Sequence, residues 1–473
     1  MFYKKLNENK IFNNLLNILK MNNLINFTGP DFRNLFTRNI PNLNQMATHT
    51  TNTIKIKTNY YWRYLLYLVL KYFIISTIVT IIIIFILIRG KNKVQHKFWY
   101  SQPIYLNSYG NPLYIFSSFY GNCIINKDLP KIDIWTNYQN IQFLSIIDAD
   151  AENITKITKF IRDNYKDSSY DAYKYDLTEV NFFSYLVSHN SAAYLGCYYN
   201  ANNDILGTIT AHPLNIHIKN DGKQINLHND TNYQNIVYYV DNLCVDYNSR
   251  NQKIAPYLIR TLYHKIRHTN YTTKVALFKR ENFNNYFIKP LTTYQTNIYK
   301  IENWFNESFD ITPQCKVLEI SEQNIHLLYN FLYNNHHKFF DVFIYPDMTN
   351  IIELIKQKCL HIQMIMKGDM ICSIYFFKNN CTIYGNKKTI ECIGTINNNQ
   401  SMNFFTQGFY HILENLSNKY EYKMLQLEEI SHNKKLNEYV IRLNTPIIIT
   451  TQTWFFYNYK YRYIDSKKIF ILN

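Results

Sequence analysis

The residues best suited to chemistry lie where an apolar run ends, a polar basic loop follows and an amphipathic helix begins. The apolar run is Val240–Val245 and the loop is Ser249–Lys253. A loop that leads into a helix presents unpaired backbone N–H groups to an anion, so this junction is a candidate site for a phosphorylated cofactor. The helix is predicted from apolar residues at helical spacing: Ala255, Leu258, Ile259, Leu262 and Ile266.

The loop alone is a modest signal for cofactor binding. It lacks the glycines of a P-loop or of a Rossmann turn. A basic loop in front of a surface helix is a simpler interpretation of the same residues. Three charged residues of the helix, Arg260, Lys265 and Arg267, lie off its apolar stripe. Support for a cofactor site must therefore come from the rest of the chain.

Three segments, taken together, point to one family. Residues 240–245 and 249–260 are similar to the patterns N-F-L-C-V and R-S-K-R-V-A-P-V-L-I-R. Residues 96–104 are similar to Y-Q-F-W-D-T-Q-P-V, and residues 207–218 to G-F-I-S-A-I-P-A-N-I-H-I. These patterns, in the order in which they occur along the chain, are those of the glycylpeptide N-tetradecanoyltransferase (N-myristoyltransferase) family. The chain resembles a divergent member over about residues 94–300, with an added N-terminal membrane segment.

The resemblance implies an α/β (α+β) fold of two tandem acetyltransferase-like halves related by a pseudo-twofold axis. A faint internal duplication agrees with it. The strand pattern Ile141–Ile147 precedes a helix pattern with Ile154, Ile157, Phe160 and Ile161 on one face, and Asp148 and Asp150 stand before that helix. A second strand pattern, Cys315–Ile320, precedes a helix for which Ser321 is the predicted N-cap. The apolar residues predicted for that helix are Ile325, Leu328, Phe331 and Leu332.

Four segments are predicted along the chain. Residues 1–58 are an Asn-rich, low-complexity arm, and residues 59–90 contain a transmembrane helix. Residues 94–305 form the acyl-CoA-binding half, and residues 306–473 form a second half that supplies the peptide side and the C-terminal carboxylate.

The transmembrane helix is predicted from Tyr72–Ile88, which contains 17 uncharged residues and is extended upstream by Tyr64–Leu70. At about 1.5 Å per residue this length crosses most of a hydrocarbon core of about 30 Å. A buried Ile-rich core segment is the alternative. Positive residues flank both ends, so charge does not determine orientation. We expect a single-pass membrane protein, held through residues 64–88, whose catalytic part faces the cytosol because acyl-CoA is supplied there.

The family resemblance implies transfer of a myristoyl group from myristoyl-CoA to the N-terminal glycine amine of proteins. Direct attack by the amine needs donors for the oxyanion and a base for the ammonium, and no Ser or Cys nucleophile. By resemblance, the donors are the backbone N–H groups of Asn242 and Leu243, and the base is the α-carboxylate of Asn473. The apolar run Ile469–Leu472 predicts a buried chain end, although an edge strand has the same pattern.

The same resemblance implies the acyl-CoA site, with departures from the family pattern. Asn242 replaces Phe, Asn251 replaces Ser, and Lys253 replaces an Arg that can form two parallel hydrogen bonds. The peptide side matches weakly, because residues 166–171 keep only scattered carboxylates. The implied acyl-CoA-binding residues are Lys97, Phe98, Trp99, Asn242, Leu243, Cys244, Val245, Arg250, Asn251, Lys253, Ile254 and Ala255.

Composition narrows the class of protein further. The net charge of +16 favours anionic partners, but no basic-aromatic RNA motif occurs, so we expect no nucleic-acid partner. The eight cysteines form no CxxC pair, so neither a metal site nor a prosthetic group is expected. We expect a monomer. Two alternatives remain: an inactive acyl-CoA- or peptide-binding membrane scaffold, and a related acyltransferase with another acyl chain or amine acceptor.

Overall fold

The structure is a computed structural model. It describes residues 43–107, 121–146, 150–165, 173–220, 223–225, 235–281, 287–302, 304, 311 and 313–473. Within these ranges it describes the side chains of residues 61–219 and 235–473. The chain divides into two compact units, Met1–Ile84 and Phe85–Asn473. Most of the predicted arm, together with Asp148 and the weakly matching stretch 166–171, lies outside the described residues.

A long helix, α1 (Leu43–Gln95), begins inside the segment predicted as an arm. Its stretch Tyr61–Gln95 is long and apolar enough to cross a membrane, by length and composition. Large apolar side chains there, such as Ile78 and Ile82, are exposed. Two short elements follow in the chain: α2 (Lys97–Ser101) and β1 (Cys123–Ile124).

The N-terminal repeat, residues 141–281, is an antiparallel sheet that ends in one parallel crossover. Its elements are β2 (Ile141–Leu144), α3 (Ala151–Asn164), β3 (Lys174–Tyr175), α4 (Glu179–Ser184), β4 (Tyr194–Tyr199), β5 (Ile205–Asn220), β6 (Lys223–Ile225), β7 (Ile236–Val245), α5 (Ile254–Thr269) and β8 (Ala276–Glu281). Strands β2, β4, β5 and β7 pair antiparallel in that order. Strands β7 and β8 pair in parallel through the crossover helix α5.

The C-terminal repeat, residues 315–428, follows the same plan after strand β9 (Thr292–Lys300). Its elements are β10 (Cys315–Glu319), α6 (Ile325–Phe339), β11 (Val342–Tyr345), α7 (Met348–Lys356), β12 (Leu360–Lys367), β13 (Met370–Tyr384), β14 (Lys387–Asn397), α8 (Met402–Tyr420) and β15 (Tyr422–Glu428). Strands β10, β12, β13 and β14 pair antiparallel, and β14 and β15 pair in parallel through α8. The predicted duplication of strand–helix plans is thus confirmed, whereas the domain bounds near residue 305 stay a prediction.

Two strands join the repeats into one sheet. The elements after the C-terminal repeat are α9 (Asn433–Leu443), β16 (Ile448–Tyr457), β17 (Tyr459–Lys460) and β18 (Ile469–Ile471). Strands β9 and β16 lie between β15 and β8, and β11 pairs with both β5 and β18. The sheet therefore runs unbroken from one repeat to the other, and residues from both repeats can line one site.

A local capping signal places the start of α3 correctly. Asp150 caps α3 by accepting a hydrogen bond from the Asn153 N–H at 2.6 Å. The prediction of Ser321 as the N-cap of α6 is wrong. Asn324 stands before Ile325 and accepts a hydrogen bond from the Ser321 N–H at 2.7 Å, so these residues form a turn and the helix starts later.

Candidate active site

The run Val240–Val245 contains a β-bulge. Cys244 pairs with Thr208 and Asp241 pairs with Thr210, so two residues, Asn242 and Leu243, lie opposite one residue of β5. Asn242 has a φ of 48°, a left-handed conformation that asparagine tolerates better than most residues. A bulge of this kind bends the strand and takes its residues out of the regular ladder.

Threonines of β5 hold the bulge in place. The Thr208 hydroxyl donates to the Asn242 carbonyl oxygen at 3.0 Å. The Asn242 side-chain amide donates to the Thr210 hydroxyl at 3.1 Å. The backbone carbonyl and the side-chain amide of Asn242 are therefore both hydrogen-bonded to β5. These two bonds fix the position of the next residue, Leu243.

Strands β7 and β8 separate at the position of this bulge, which leaves a gap between them. The two strands pair only as far as Val240 and Phe278, and Lys279 pairs instead with Trp454 of β16. We call the space between them, with a volume of about 440 Å³, the gap cavity. Its walls are mainly apolar and include Phe98, Trp99, Val240, Leu243, Ala255 and Ile259. Volume and composition are those of a small-molecule site.

The aromatic residues of α2 form one wall of the gap cavity. Trp99 stacks on Phe278 with ring centroids 6.2 Å apart. The buried Phe98 packs edge-on against Trp135 at 5.4 Å. Lys97, which the resemblance groups with these two residues, is exposed and is not among the residues lining this cavity.

The basic loop ends in two residues with left-handed backbone. Asn251 has a φ of 66° and Lys253 a φ of 65°. For a lysine this conformation costs about 1–2 kcal/mol. Both side chains are exposed, and Lys253 occupies the N-cap position of α5 without a side-chain hydrogen bond to the helix. The first N–H groups of α5 thus lack a side-chain cap.

Arg250 has a structural contact in addition to its charge. Its guanidinium donates to the Asn164 carbonyl oxygen at 3.2 Å and lies over the Tyr247 ring at 5.0 Å. These contacts attach the loop to the end of α3. Ile254, at the other end of the loop, is buried. The loop is therefore anchored on both sides.

Helix α5 packs closely on β5. A Cβ atom at Gly207 would lie 2.9 Å from both Ile254 Cγ2 and Leu258 Cδ1, so only glycine permits this approach. Leu258, Leu262 and Ile266 are buried, as the periodicity predicts.

Arg260 and Arg267, off the apolar stripe, are also buried, because the chain between residues 126 and 133 covers them. Arg267 donates to the carbonyl oxygens of Lys127 and Asp128 at 3.1 and 3.2 Å, and Arg260 pairs with Asp133 at 2.9 Å.

The chain end leads into a second cavity. Strand β18 lies parallel to β11, and the Leu472 N–H donates to the Ile344 carbonyl oxygen at 2.9 Å. Residues Ile469–Leu472 are buried, which confirms the predicted buried chain end, and β18 is also the last strand of the sheet order. We call the adjoining space, of about 610 Å³ and lined by Asn473, the terminus cavity.

Polar groups face the terminus cavity from several elements. Lys378 Nζ donates to the Asn473 oxygen at 3.3 Å. His212 is buried at the cavity wall, and burial holds its pKa well below the usual range, so its ring is neutral at pH 7. Tyr185 and Tyr239 lie beside His212, with ring centroids 6.4 and 5.4 Å away.

The two cavities share part of their walls. The residues common to both are Tyr165, Asp241 and Lys279. Although burial alone lowers the pKa of Lys279, the Glu428 carboxylate in contact with it raises that pKa well above its usual value. Lys279 is therefore ion-paired with Glu428, and Asp241 is the one acid that lines both cavities among the residues described.

Asp241 changes the prediction made for Asn242. The Asn242 N–H donates to Asp241 Oδ1 at 2.8 Å, so in this structure it does not face an oxyanion as the resemblance implied. Leu243 follows it in the bulge and lines the gap cavity. The donor roles of Asn242 and Leu243 stay predictions, and of the two N–H groups it is that of Asn242 which contacts Asp241.

The other predicted residues of β7 have packing roles. Cys244 is buried, and burial raises the pKa of its thiol to about 12, which makes it a poor nucleophile. Val245 is half-buried and pairs with Gly207. The sequence reasoning missed Asp241 and His212. Both replace uncharged residues of the quoted family patterns, Asn and Ile, and that departure was the available signal.

Fold and site together define a mixed α/β protein of the acetyltransferase-like class, with a loop–helix junction beside a strand gap. Residues 132–279 match the family model of the myristoyl-CoA:protein N-myristoyltransferase N-terminal domain. Over these residues the chain is similar to the N-myristoyltransferase family. No curated protein sequence matches it.

Solved structures are similar in fold. A Saccharomyces cerevisiae N-myristoyltransferase with bound myristoyl-CoA has a TM-score of 0.60 at 11% identity, over 78% of this chain and 94% of that chain. A second structure of the yeast enzyme, with bound myristoyl-CoA and inhibitors, has a TM-score of 0.59 at 12% identity, over 78% of this chain and 91% of that chain. At such identities the likeness establishes the fold.

Proposed function

We propose that this protein transfers a myristoyl group from myristoyl-CoA to the N-terminal glycine amine of protein substrates. One observation carries the proposal. The gap cavity and the terminus cavity meet at Tyr165, Asp241 and Lys279, so a donor in one and an acceptor in the other would bring their reacting atoms together. Such a meeting point supplies the proximity that direct transfer requires.

The donor side is assigned from the gap cavity and the basic loop. The pyrophosphate of CoA binds Asn251, Lys253 and the N–H groups of Ile254 and Ala255, at the uncapped start of α5. The acyl chain lies in the gap cavity against Phe98 and Trp99. Cys244 and Val245 support the strand beneath, and Arg250 fixes the loop.

The chemical step needs no protein nucleophile. The free amine attacks the thioester carbonyl carbon, the C–N bond forms, and the C–S bond breaks. CoA leaves as a thiolate and takes up the proton that the attacking nitrogen releases as it becomes an amide. The Leu243 N–H donates to the oxyanion, and the α-carboxylate of Asn473 takes the ammonium proton. The contact between Lys378 and the Asn473 oxygen supports a fixed position for this carboxylate.

The membrane part of the proposal rests on helix α1. Residues 64–88 hold the protein in a membrane as a single pass, and the catalytic part faces the cytosol, where it acts as a monomer. The exposed apolar side chains of Tyr61–Gln95 support this arrangement.

The experiment is a CoA-release assay with lauroyl-, myristoyl- and palmitoyl-CoA, each with peptides that begin with glycine or alanine. We expect release to be fastest with myristoyl-CoA and to require an N-terminal glycine. A preference for another chain, or equal rates with alanine peptides, favours the related acyltransferase instead.

A second candidate function is an acyl-CoA-binding membrane scaffold without transferase activity. The hydrogen bond from the Asn242 N–H to Asp241 favours it, because this bond occupies one backbone donor and places a negative charge beside the expected oxyanion. Tight myristoyl-CoA binding without CoA release from any peptide would establish the scaffold.

A further inference from the structure

We infer that a segment of the compact unit Phe85–Asn473 contacts the surface of the membrane. The segment is residues 127–135, which we call the strap. This inference rests on the proposed attachment through helix α1, and it adds a second membrane contact made by residues outside that helix. The strap has no part in the donor or acceptor chemistry described above.

The strap exposes large aliphatic side chains. Ile132 is 70% exposed, Ile134 is 69% exposed and Leu129 is 49% exposed. Single exposed apolar residues are ordinary on protein surfaces, but three of them on one short segment form a patch. Such a patch indicates an interaction surface.

The backbone of the strap is fixed to helix α5. The Arg260 guanidinium donates to the Lys131 carbonyl oxygen at 3.1 Å, and the ring of His268 donates to the Pro130 carbonyl oxygen at 2.9 Å. Arg267 binds the carbonyl oxygens at the start of the strap. The strap is therefore a fixed part of the surface, with its carbonyl groups turned towards the protein.

The two exposed isoleucines alternate with residues that face the protein. Asp133, between them, pairs with Arg260 at 2.9 Å, and Trp135, which follows Ile134, is buried. Because these neighbours are anchored, Ile132 and Ile134 stay in contact with solvent unless a partner covers them.

The strap lies close to the chain that leaves the membrane-spanning stretch. The uncharged run ends at Ile88, and Phe98, ten residues further on, packs against Trp135 with ring centroids 5.4 Å apart. Ten helical residues span about 15 Å, and the headgroup region on each side of a bilayer is about 5–8 Å thick. Lys91 and Lys93 lie in this interval and are exposed. The strap is therefore within reach of the lipid headgroups.

The charge of the strap agrees with a lipid partner. Lys127 and Lys131 are exposed, against one exposed acid, Asp128. Segments that lie in a membrane interface combine aliphatic side chains with lysines, which anionic headgroups attract. We therefore assign the strap to a lipid surface with anionic headgroups. Because Trp135 packs on Phe98 of the gap cavity, this contact also holds the donor site at the membrane surface.

The test uses the full chain in lipid nanodiscs that contain phosphatidylserine and a lipid with a nitroxide quencher near its headgroup. A fluorophore is attached through Ile132→Cys in a Cys123→Ser background, because Cys123 is the exposed native cysteine among the residues that the structure describes. We expect stronger quenching at position 132 than at Leu443→Cys, which is exposed on α9. Equal quenching at the two positions overturns the inference.

A second measurement tests the isoleucines themselves. With the fluorophore at Leu129→Cys, the added changes Ile132→Glu and Ile134→Glu should lower the quenching to the level found at position 443. The matched control adds Ile441→Glu and Leu443→Glu, two exposed aliphatic positions of α9, and should leave the quenching unchanged. Unaltered quenching in the variant with both strap changes overturns the inference.

A fluorophore at Ile78→Cys, with the quencher at the middle of the lipid chain, reports separately on helix α1. Quenching at position 78 but not at position 132 keeps the spanning helix and removes the strap contact. Quenching at position 132 but not at position 78 keeps the surface contact and removes the span. Quenching at neither position removes both.

Discussion

At the scale of single residues, Lys253 has a left-handed backbone that is unusual for a lysine. A lysine in left-handed conformation is strained, and the strain is localised where α5 begins without a side-chain cap. Such strain persists only when the surroundings impose it, here through the buried Ile254 on one side and the anchored Arg250 on the other. Lys253 therefore places a positive charge beside the first backbone N–H groups of α5, which lack a side-chain cap.

Two substitutions of Lys253 separate the effect of its charge on ligand binding from the effect of its backbone strain on stability. Lys253→Ala and Lys253→Gly should both weaken myristoyl-CoA binding by about tenfold, because each removes a charge-assisted hydrogen bond to phosphate. Only the glycine variant relieves the strain, so its free energy of unfolding should rise by up to about 1 kcal/mol. Calorimetric titration and thermal unfolding measure the two effects. Unaltered binding in both variants would move the pyrophosphate elsewhere.

His432 makes stability depend on pH. Its Nδ1 accepts a hydrogen bond from the Asn397 N–H at 2.8 Å, and burial lowers its pKa to about 4. Because the unfolded state binds the proton more readily, the contribution is present above pH 6.5 and is lost as the pH falls from 6.5 towards 4.

The variant His432→Gln should therefore lose less stability than the wild type between pH 7 and pH 4. The difference is at most about 3 kcal/mol, from the size of the pKa shift. Thermal unfolding across this pH range measures it. His326→Gln, at an exposed position, is the control. Parallel stability curves for the wild type and His432→Gln would show that this histidine does not contribute.

At the scale of elements, the position of α5 determines the site. The helix carries the loop at one end, and its buried face lies on β5 with no space for a side chain at Gly207. The bulge in β7 lies on the neighbouring strand, held by Thr208 and Thr210. The packing of α5 on β5 therefore positions both the basic loop and the bulge in β7.

Gly207→Ala should lower the free energy of unfolding by about 1–3 kcal/mol, because the added methyl group overpacks the contact with Ile254 and Leu258. Since that contact also sets the loop, myristoyl-CoA binding should weaken as well. Unfolding in urea and titration with myristoyl-CoA measure the two effects. Gly121→Ala, where no atom lies within 4 Å of the added Cβ, is the matched control. Wild-type binding in Gly207→Ala would show that the loop is positioned independently.

Sequence patterns predict elements that depend on local periodicity. Helix α5 and the strand before it follow from apolar spacing, and Asp150 caps α3 as its position suggests. Patterns fail where a hydrogen bond or a strand pairing that the apolar spacing does not contain decides the structure. Ser321 is an equally good cap by type, yet the turn it forms with Asn324 delays the helix. The bulge at Asn242 depends on the register with β5, which local propensity does not contain.

At the scale of the whole molecule, the site exists because two similar repeats share one sheet. The gap cavity belongs to the N-terminal repeat, whereas the terminus cavity also takes Lys378, Glu391 and Asn473 from the C-terminal part. No local pattern brings these residues together. The family resemblance supplied the expectation of a buried chain end, but the junction at Asp241 required the structure.

Helix α1 is the basis for the predicted attachment of the protein to a membrane. The double variant Ile78→Lys and Ile82→Lys in the full chain should abolish retention in carbonate-washed membranes. Each charge at the centre of a spanning helix costs about 2.5–3.5 kcal/mol. Val94→Lys, near the helix end, is the control and should be retained. Loss of the wild-type chain on carbonate washing would contradict a membrane-spanning helix.

The most direct test of the transferase is the mass of a glycine-initiated peptide after incubation of the full chain with myristoyl-CoA. We expect the peptide to gain one myristoyl group on its N-terminal amine, with an equal amount of free CoA, and an N-acetylated peptide to gain none. An unmodified peptide in every case, while myristoyl-CoA binds tightly, would contradict the transferase.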